Sequence, residues 1–229
     1  MGVYENQAWI GLPGHAMRPG GLALTERLLE LAQLQQGAGI LVLGCGMGGT
    51  VAHLDALGYQ ALGVDCSPDL IRCGQAEYPQ SRLMVARGEN LPFAEGSWEA
   101  VLAECSLSVM EQPDVLLACA HVLKPGGKLL ISDVYARQEA SESALSAVEV
   151  RRFLTRAKWE ELLDRCGFRR LLWEDHTAVW KEFAAQVIWE YGSLSVLGDC
   201  RLGQDIALVK PGYFLALADK ERKECDHNG

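Results

Sequence analysis

The chain alternates between short apolar runs and longer segments whose apolar residues recur every three to four positions. Short runs bounded by glycine are typical of buried parallel strands, and the longer period is typical of amphipathic helices. The predicted strands are residues 39–43, 60–64, 82–86, 99–104, 128–133, 169–174 and 212–218. The predicted helices are residues 22–35, 49–57, 67–77, 113–123, 157–166 and 178–190. Because strands and helices alternate, the pattern predicts βαβ units and an α/β, doubly wound sheet.

Glycine and proline mark where several of these elements end. The KPGG stretch at 124–127 predicts a helix stop and a turn into the following strand. Gly167 predicts the end of the helix before it. Residues 135–150 show neither the apolar run of a buried strand nor the apolar periodicity of a helix, and they are expected to form a loop or a short helix. Residues 191–209 are expected to be irregular for the same reason.

A glycine-rich turn follows the first predicted strand. Gly44, Gly46 and Gly49 form a G-x-G-x-x-G pattern, and Asp65 ends the second strand 21 positions after Gly44. Doubly wound sheets bind ligands at the carboxyl ends of their strands, and an acid at this distance can accept both ribose hydroxyls of an adenosine. The pattern therefore indicates a nucleoside and fits both NAD and S-adenosylmethionine. A tight strand-to-helix turn would by itself also need these glycines.

Four stretches together distinguish between the two cofactors. They are VLGCGMGGT (42–50), GVDCSPDLI (63–71), ENLPFAEGSWEAVLAE (89–104) and HVLKPGGKLLISDVY (121–135). In this order they make the chain resemble class I S-adenosylmethionine-dependent methyltransferases of the small-molecule type, similar to the ubiquinone/menaquinone-biosynthesis and arsenite methyltransferases. The resemblance implies S-adenosylmethionine as cofactor and a Rossmann-like sheet of seven strands, mostly parallel with an antiparallel last strand. An NAD-dependent oxidoreductase is the less favoured alternative.

The resemblance also implies which residues hold the cofactor. The glycine turn would approach the methionine part, Asp65 would hold the ribose, and Cys66 would lie beside the adenine. Glu104 would lie under the reactive end, and Arg18 would pair with the cofactor carboxylate or with an anionic acceptor. The full predicted set is Gly44, Cys45, Gly46, Asp65, Cys66, Gly88, Glu89, Asn90, Glu104 and Arg18.

Three positions depart from the family pattern. The family usually carries an acid two residues before the first glycine of the turn, where this chain has Val42. The acid common at the end of the third strand is replaced by Arg87, and the usual Phe-Asp start of the fourth strand is Trp98-Glu99. Losing two carboxylates beside the cofactor raises an alternative, in which a degenerate methyltransferase fold binds a nucleoside without catalysing a reaction.

Methyl transfer is an in-line displacement at a sulfonium carbon, so the protein mainly aligns the acceptor and excludes water. A base is needed only where the acceptor must lose a proton. The predicted catalytic residues are Cys105, His176 and Tyr135, because each follows a predicted strand. Each also has a structural interpretation: an inert buried thiol, a residue beside a helix start, and a tyrosine at the rim.

The N-terminal segment, residues 1–21, is rich in glycine, proline and aromatic residues. In a chain of this family it would lie over the cofactor as a lid. Its candidates for closing the site are Tyr4, Trp9, His15 and Arg18. A surface loop with a packed tryptophan is the alternative.

The eight cysteines include no C-x-x-C pair, and no histidine pair has zinc-finger spacing, so no metal site is predicted. In a cytosolic chain these cysteines are expected to be reduced thiols. Cys200 lies in the irregular segment, and a thiol there that converged with Cys105 would suit a soft acceptor such as arsenite.

The chain of 229 residues carries a formal net charge of −9, which disfavours a nucleic acid or an anionic membrane as partner. The sequence shows neither a secretory signal nor an apolar segment of transmembrane length, so a cytoplasmic protein with a small-molecule substrate is expected. The oligomeric state is left open. The length predicts one domain. Its parts would be the lid (1–21), a cofactor-binding half (22–135), a substrate-side half (136–219) and a tail (220–229).

Overall fold

The computed structural model describes residues 18–139, 153–192 and 209–222. Six α-helices lie in these residues: α1 (Gly21–Ala32), α2 (Gly49–Ala56), α3 (Pro68–Glu77), α4 (Gln112–Val122), α5 (Arg156–Arg165) and α6 (Thr177–Tyr191). The strands are β1 (Gly39–Leu43), β2 (Gln60–Asp65), β3 (Leu83–Val85), β4 (Trp98–Glu104), β5 (Leu123–Ala136), β6 (Phe168–Asp175) and β7 (Pro211–Lys220). A short 3₁₀ helix, Leu107–Val109, follows β4.

The strands form one seven-stranded sheet in the order β3-β2-β1-β4-β5-β7-β6. Strands β1 to β5 pair in parallel, whereas β7 lies antiparallel to both β5 and β6. The prediction of a Rossmann-like doubly wound sheet with an antiparallel last strand is confirmed. The strand order reverses between β1 and β4, and sheets of this kind bind ligands outside the carboxyl ends of the strands at that point.

Side chains alternate along each strand, so the sheet buries apolar residues on both faces. On one face, Leu41 and Leu43 of β1 belong to a cluster with residues of α4 and α5. On the other face, Ile40 and Val42 belong to a cluster with residues of α1 and α2. Both faces of the parallel part are therefore covered, which explains why its strands read as continuous apolar runs in the sequence.

The KPGG stretch was predicted to stop a helix and to turn the chain before the next strand. The helix does stop there, at Val122, but the prediction that the stretch precedes the strand is wrong. Strand β5 already begins at Leu123, which pairs with Trp98 of β4, and the next registered pair is Ala100 with Lys128. The residues between Leu123 and Lys128 form an irregularity inside the strand pairing. A bulge accommodates proline and glycine without ending the pairing, which the local composition does not reveal.

Two further boundaries differ from the prediction by more than two residues. Helix α1 ends at Ala32 instead of at residue 35, because Gln33 has a φ of +49° and its N–H bonds the carbonyl oxygen of Leu29. Strand β5 continues through Tyr135 to Ala136, into a segment predicted to be a loop. Pairing with the start of β7 extends it, and this partner is remote in sequence.

No helix in the described ranges combines the length and the hydropathy that crossing a bilayer requires. Four residues singled out in the sequence lie outside the described residues: Tyr4, Trp9, His15 and Cys200. Most of the predicted lid and of residues 191–209 lies outside them as well.

Candidate cofactor and acceptor site

The turn between β1 and α2 leaves part of its backbone open. Gly44 and Gly46 have φ angles of +66° and +54°, a region that residues with a Cβ rarely adopt. A Cβ on Gly44 would lie 2.6 Å from the Cβ of Ser106, whereas a Cβ on Gly46 would meet no atom of the described residues within 4 Å. The N–H of Cys45 donates to the carbonyl oxygen of Val64 at 3.0 Å and so ties the turn to β2. A ligand can therefore approach the main chain at Gly46.

Asp65, the last residue of β2, points its carboxylate at this turn. Its Oδ2 accepts the N–H of Gly46 at 2.9 Å, and its Oδ1 accepts the N–H of Ser67 at 2.9 Å. The neighbouring Cys66 is exposed, and partial burial together with the negative charge of Asp65 raises the pKa of its thiol. The predicted ribose-binding acid is thus fixed beside the turn by two backbone hydrogen bonds.

The loop after β3 lies beside Asp65. The N–H of Ala86 donates to the carbonyl oxygen of Asp65 at 3.0 Å, and the N–H of Asn90 donates to that of Arg87 at 3.1 Å. Arg87, which replaces an acid common in the family, has a side chain that is 74% exposed. It pairs with Glu89 at 3.4 Å between Nε and Oε2. This arginine is therefore a surface residue at the mouth of the site and is not buried within it.

Gly88 belongs to the same loop and packs against the core. A Cβ at this position would lie 3.1 Å from the sulfur of Met110 and 3.2 Å from Cδ1 of Leu43. The close packing explains why a glycine suits this point in the loop.

Glu104, the last residue of β4, is held in a buried polar network. Its Oε1 accepts the hydroxyl of Thr25 at 2.8 Å, and its Oε2 accepts the hydroxyl of Thr50 at 3.2 Å. The guanidinium of Arg18 lies 3.0 Å from Oε2, and its Nη2 also donates to Thr25 at 2.6 Å. The side chains of Glu104 and Arg18 are only 4% and 18% exposed. Helices α1 and α2 and the chain before α1 therefore all meet at this carboxylate.

Cys105 lies beside a fully buried tyrosine. Its Sγ is 3.1 Å from the hydroxyl of Tyr213, and that hydroxyl donates to the Oγ of Ser132 at 3.2 Å. Burial and the nearby charge of Asp133 raise the pKa of its thiol well above the ordinary range, although the hydrogen bond with Tyr213 and the positive charge of Arg18 oppose this rise. The thiol is therefore protonated at neutral pH and is a hydrogen-bonding group in this state, since only the thiolate is a strong nucleophile.

The hydroxyl of Tyr135 belongs to a different set of hydrogen-bonded residues from that of Cys105 and Tyr213. Its hydroxyl donates to Oδ2 of Asp175 at 2.7 Å, while Oδ1 of Asp175 accepts the N–H of Thr177 at 2.8 Å. Burial and then the hydrogen bond to Asp175 raise the pKa of Tyr135. Tyr135 is paired across the sheet with Gly212, and its neighbour Val134 is paired with Tyr213. Because side chains alternate along a strand, Tyr135 and Tyr213 point to opposite faces of the sheet.

His176 is the N-cap residue of α6, as its structural interpretation predicted. Its Nε2 lies 3.2 Å from Oε2 of Glu174, whose carboxylate also accepts two hydrogen bonds from Arg27 of α1. The backbone N–H of His176 donates to the carbonyl oxygen of Tyr213 at 2.8 Å. The structure therefore brings Cys105 close to Tyr213 and gives Tyr135 and His176 separate partners.

Several residues of the site were missed in the sequence. They are Thr25, Thr50, Ser132, Asp133 and Tyr213. Thr25 does leave a signal, because it is a polar residue within the apolar stripe of a predicted helix. Tyr213 leaves none, because only the antiparallel direction of β7 brings the start of that strand to the carboxyl ends of β4 and β5.

Asp133 is the one acid of this group, and it is fully buried. Its Oδ2 accepts the N–H of Ser108 at 3.0 Å, and its Oδ1 accepts the N–H of Val134 at 2.7 Å. Burial raises the pKa of its carboxyl, and these hydrogen bonds oppose the rise. Asp133 thus fixes the loop after β4 to β5 and helps to hold Cys105 in position.

A comparison with known protein families concerns the same part of the chain. Residues 41–131 match a family described as a methyltransferase domain. The match begins in β1 and ends in β5, so it includes the glycine turn, Asp65 and Glu104.

Two curated relatives are similar to more than half of the chain. The uncharacterized methyltransferase YodH of Bacillus subtilis is 28% identical over an alignment of 165 residues, and the match covers 66% of this chain and 69% of YodH. The ubiquinone biosynthesis O-methyltransferase of Xanthomonas oryzae pv. oryzae is 32% identical over an alignment of 143 residues, and the match covers 60% of this chain and 58% of that enzyme. This chain therefore spans less than two thirds of the ubiquinone enzyme.

A solved structure has the same fold. Phosphoethanolamine N-methyltransferase 2 of Haemonchus contortus, in complex with phosphomonomethylethanolamine and S-adenosylhomocysteine, matches with a TM-score of 0.73 at 20% identity. The match covers 96% of this chain and 57% of that one. Residues 41–131 thus match a methyltransferase domain, and the chain is similar in sequence and fold to S-adenosylmethionine-dependent methyltransferases.

Proposed function

We propose that this protein transfers a methyl group from S-adenosylmethionine to a small-molecule acceptor. The observation that carries the proposal is the open backbone at Gly46, flanked by Asp65 at the end of β2 and Glu104 at the end of β4. The names of the ubiquinone and phosphoethanolamine enzymes support a small acceptor, because both describe reactions on small molecules. The net charge of −9 favours such an acceptor over a nucleic acid or an anionic membrane.

The residues around the turn fit an adenosyl cofactor. Gly46 leaves room for a ligand at the main chain, and the carboxylate of Asp65 is held next to it. Nε of Arg18 is buried and has no hydrogen-bond partner among the described residues. Because buried donors almost always have a partner, this N–H supports an anionic group of a ligand as its acceptor.

Each part of the cofactor would have its own set of residues. Asp65 would accept the ribose hydroxyls, and the backbone of Gly44, Cys45 and Gly46 would pass under the methionine part. The adenine would lie against Cys66 and the loop after β3, where the residues are Gly88, Glu89 and Asn90. Arg87 at the mouth of this loop is exposed, so its positive charge costs the cofactor site little.

Bound S-adenosylmethionine supplies a methyl group on a sulfonium, and the protein then has to align the acceptor and exclude water. We assign this task to Cys105, Tyr135 and His176, with the thiol of Cys105 as a neutral hydrogen-bonding group. None of the three has to be a strong base if the acceptor is a thiolate or another nucleophile without a proton to lose.

A non-catalytic binding protein is the second candidate, and Val42 and Arg87 favour it because each stands where the family usually has an acid. Incubation with methyl-labelled S-adenosylmethionine and phenol, amine, thiol and arsenite acceptors separates the two candidates. The enzyme predicts labelled product and S-adenosylhomocysteine with at least one acceptor class. Binding of S-adenosylhomocysteine without label transfer to any class would favour the binding protein.

The cytoplasmic location and the division into lid, cofactor-binding half, substrate-side half and tail stay predictions.

A further inference from the structure

The position where the family usually has an acid is apolar and closed in this chain. Val42 is 3% exposed and lies in the cluster formed with α1 and α2. Its partners across the sheet are Gly63 of β2 and Leu102 of β4. A carboxylate at this position would be buried among apolar side chains, and burying such a charge without partners is costly. Strand β1, whose sequence is GILVL, therefore carries no carboxylate that could take the place of this acid.

A carboxylate does stand on the same face of the neighbouring strand. Val42 pairs with Leu102, and Glu104 follows Leu102 by two residues along β4. Residues two apart on a strand share a face, so Glu104 and Val42 point to the same side of the sheet. Glu104 lies one step closer to the carboxyl edge and therefore closer to the glycine turn. In this chain the carboxylate on this face is therefore carried by the end of β4 and not by β1.

The surroundings of Glu104 are built to hold a charge at this place. Thr25 and Thr50 donate their hydroxyls to its two oxygens, and Thr50 is the second residue of α2, the helix that begins directly after the glycine turn. A carboxylate can accept about four hydrogen bonds. Thr50 and Arg18 both contact Oε2, whereas Oε1 accepts only the hydroxyl of Thr25 among the residues that the structure describes. Oε1 can therefore accept a further donor from a ligand.

Arg18 adds the opposite charge beside this carboxylate. Its Nη2 pairs with the carboxylate of Glu104 and donates to the hydroxyl of Thr25. Its buried Nε has no hydrogen-bond partner among the described residues. The pair therefore offers one acceptor and one donor next to each other. An amino acid in its zwitterionic form presents the complementary groups, an ammonium and a carboxylate.

We propose that Glu104 and Arg18 form the receptor for the amino-acid end of the cofactor. Glu104 accepts the ammonium in place of an acid at position 42, and Arg18 donates to the carboxylate. The strand order supports this division, because β1 lies between β2, which carries Asp65, and β4, which carries Glu104. One ligand lying across the turn can thus contact Asp65 with its ribose and Glu104 with its amino acid. The inference rests on the function proposed above.

The test compares two ligands that differ in the amino-acid end. S-adenosylhomocysteine has this end, and 5′-methylthioadenosine lacks it while keeping the adenosine. In calorimetric titrations, Glu104→Gln is expected to weaken S-adenosylhomocysteine binding by about tenfold to a hundredfold, the effect of one charge-assisted hydrogen bond. Binding of 5′-methylthioadenosine is expected to change less than about twofold, since the variant leaves the adenosine contacts in place.

Glu99→Gln is the matched control, because Glu99 lies at the opposite end of β4 and pairs with Lys124 on the surface. It should leave the affinity for both ligands unchanged. Equal losses of both ligands in Glu104→Gln, or no loss of either, would overturn the inference and leave the proposed function standing. If the wild-type protein binds neither ligand, the proposed function itself fails.

A measurement on the wild-type protein covers the case in which Glu104→Gln does not fold. Deaminated S-adenosylhomocysteine lacks the ammonium and keeps the carboxylate. The receptor predicts that it binds about tenfold or more weakly than S-adenosylhomocysteine. Equal affinity for the two compounds would show that no acid receives the ammonium.

Discussion

Asp65 is held by the main chain on both of its oxygens. Gly46 and Ser67 each donate a backbone N–H to it. An asparagine has one acceptor oxygen and no charge, so Asp65→Asn can keep only one of these bonds and weakens the contact to a ribose. We expect S-adenosylhomocysteine and 5′-methylthioadenosine to lose about tenfold to a hundredfold in affinity by calorimetry, and to a similar extent, since both contain the ribose.

The exposed Asp69 on α3 gives the control for this variant. It pairs with Arg72 on the surface, and Asp69→Asn should leave both affinities unchanged. A selective loss of S-adenosylhomocysteine in Asp65→Asn would mean that Asp65 contacts the amino-acid end and not the ribose.

At the scale of single residues, the sequence could place an acid at the end of a strand but could not show what the acid contacts. The spacing from Gly44 to Asp65 follows from one βαβ unit, so it could be predicted. The partners of Glu104 could not, because Arg18, Thr25 and Thr50 come from three segments that only the folded chain brings together.

Helix α5 packs on the sheet through three buried side chains, of which Trp159 is the largest; the other two are Leu162 and Leu163. Trp159 is fully buried and packs against Phe214 of β7, with ring centroids 5.6 Å apart. Phe214 in turn stacks on Trp173 of β6 at 4.0 Å. Removing the indole would leave a large cavity between the helix and the strands.

Trp159→Ala is therefore expected to lower the free energy of unfolding by about 3–5 kcal/mol in urea denaturation. The control is Trp189→Ala on α6, whose side chain is 90% exposed and should cost less than about 0.5 kcal/mol. Similar losses in the two variants would show that α5 is not anchored through Trp159.

At the scale of elements, most boundaries agree with the prediction to within two residues, because apolar periodicity and turn residues are local signals. The exceptions have long-range causes. The KPGG stretch stays within β5 because Leu123 pairs with Trp98. Tyr135 belongs to the same strand because β7 pairs with it from the other side.

The buried thiols make the stability of the whole molecule dependent on alkaline pH. Burial raises the pKa of Cys119 to about 12, from an ordinary value near 9, and it also raises the pKa of Cys45 and Cys105. Between these values the unfolded chain has lost the proton that the folded chain still holds. The stabilisation is therefore complete below about pH 9 and is lost as the pH rises towards 12.

Cys119→Ala removes one of these groups from the fully buried face of α4. The variant should lose less stability than the wild type between about pH 8.5 and pH 10.5, by up to about 1.4 kcal/mol for each pH unit. Urea denaturation across this range measures it, with Cys73→Ala on α3 as the control. A wild-type slope that Cys119→Ala leaves unchanged would show that this thiol ionises in the folded protein as it does in the unfolded chain.

The central claim is that the glycine turn, Asp65 and Glu104 form the site of S-adenosylmethionine. Calorimetric titration of the wild-type protein with S-adenosylhomocysteine tests it most directly. We predict one site per chain with a dissociation constant in the micromolar range or below. Absence of binding at about 1 mM ligand, with the protein folded by circular dichroism, would contradict the claim.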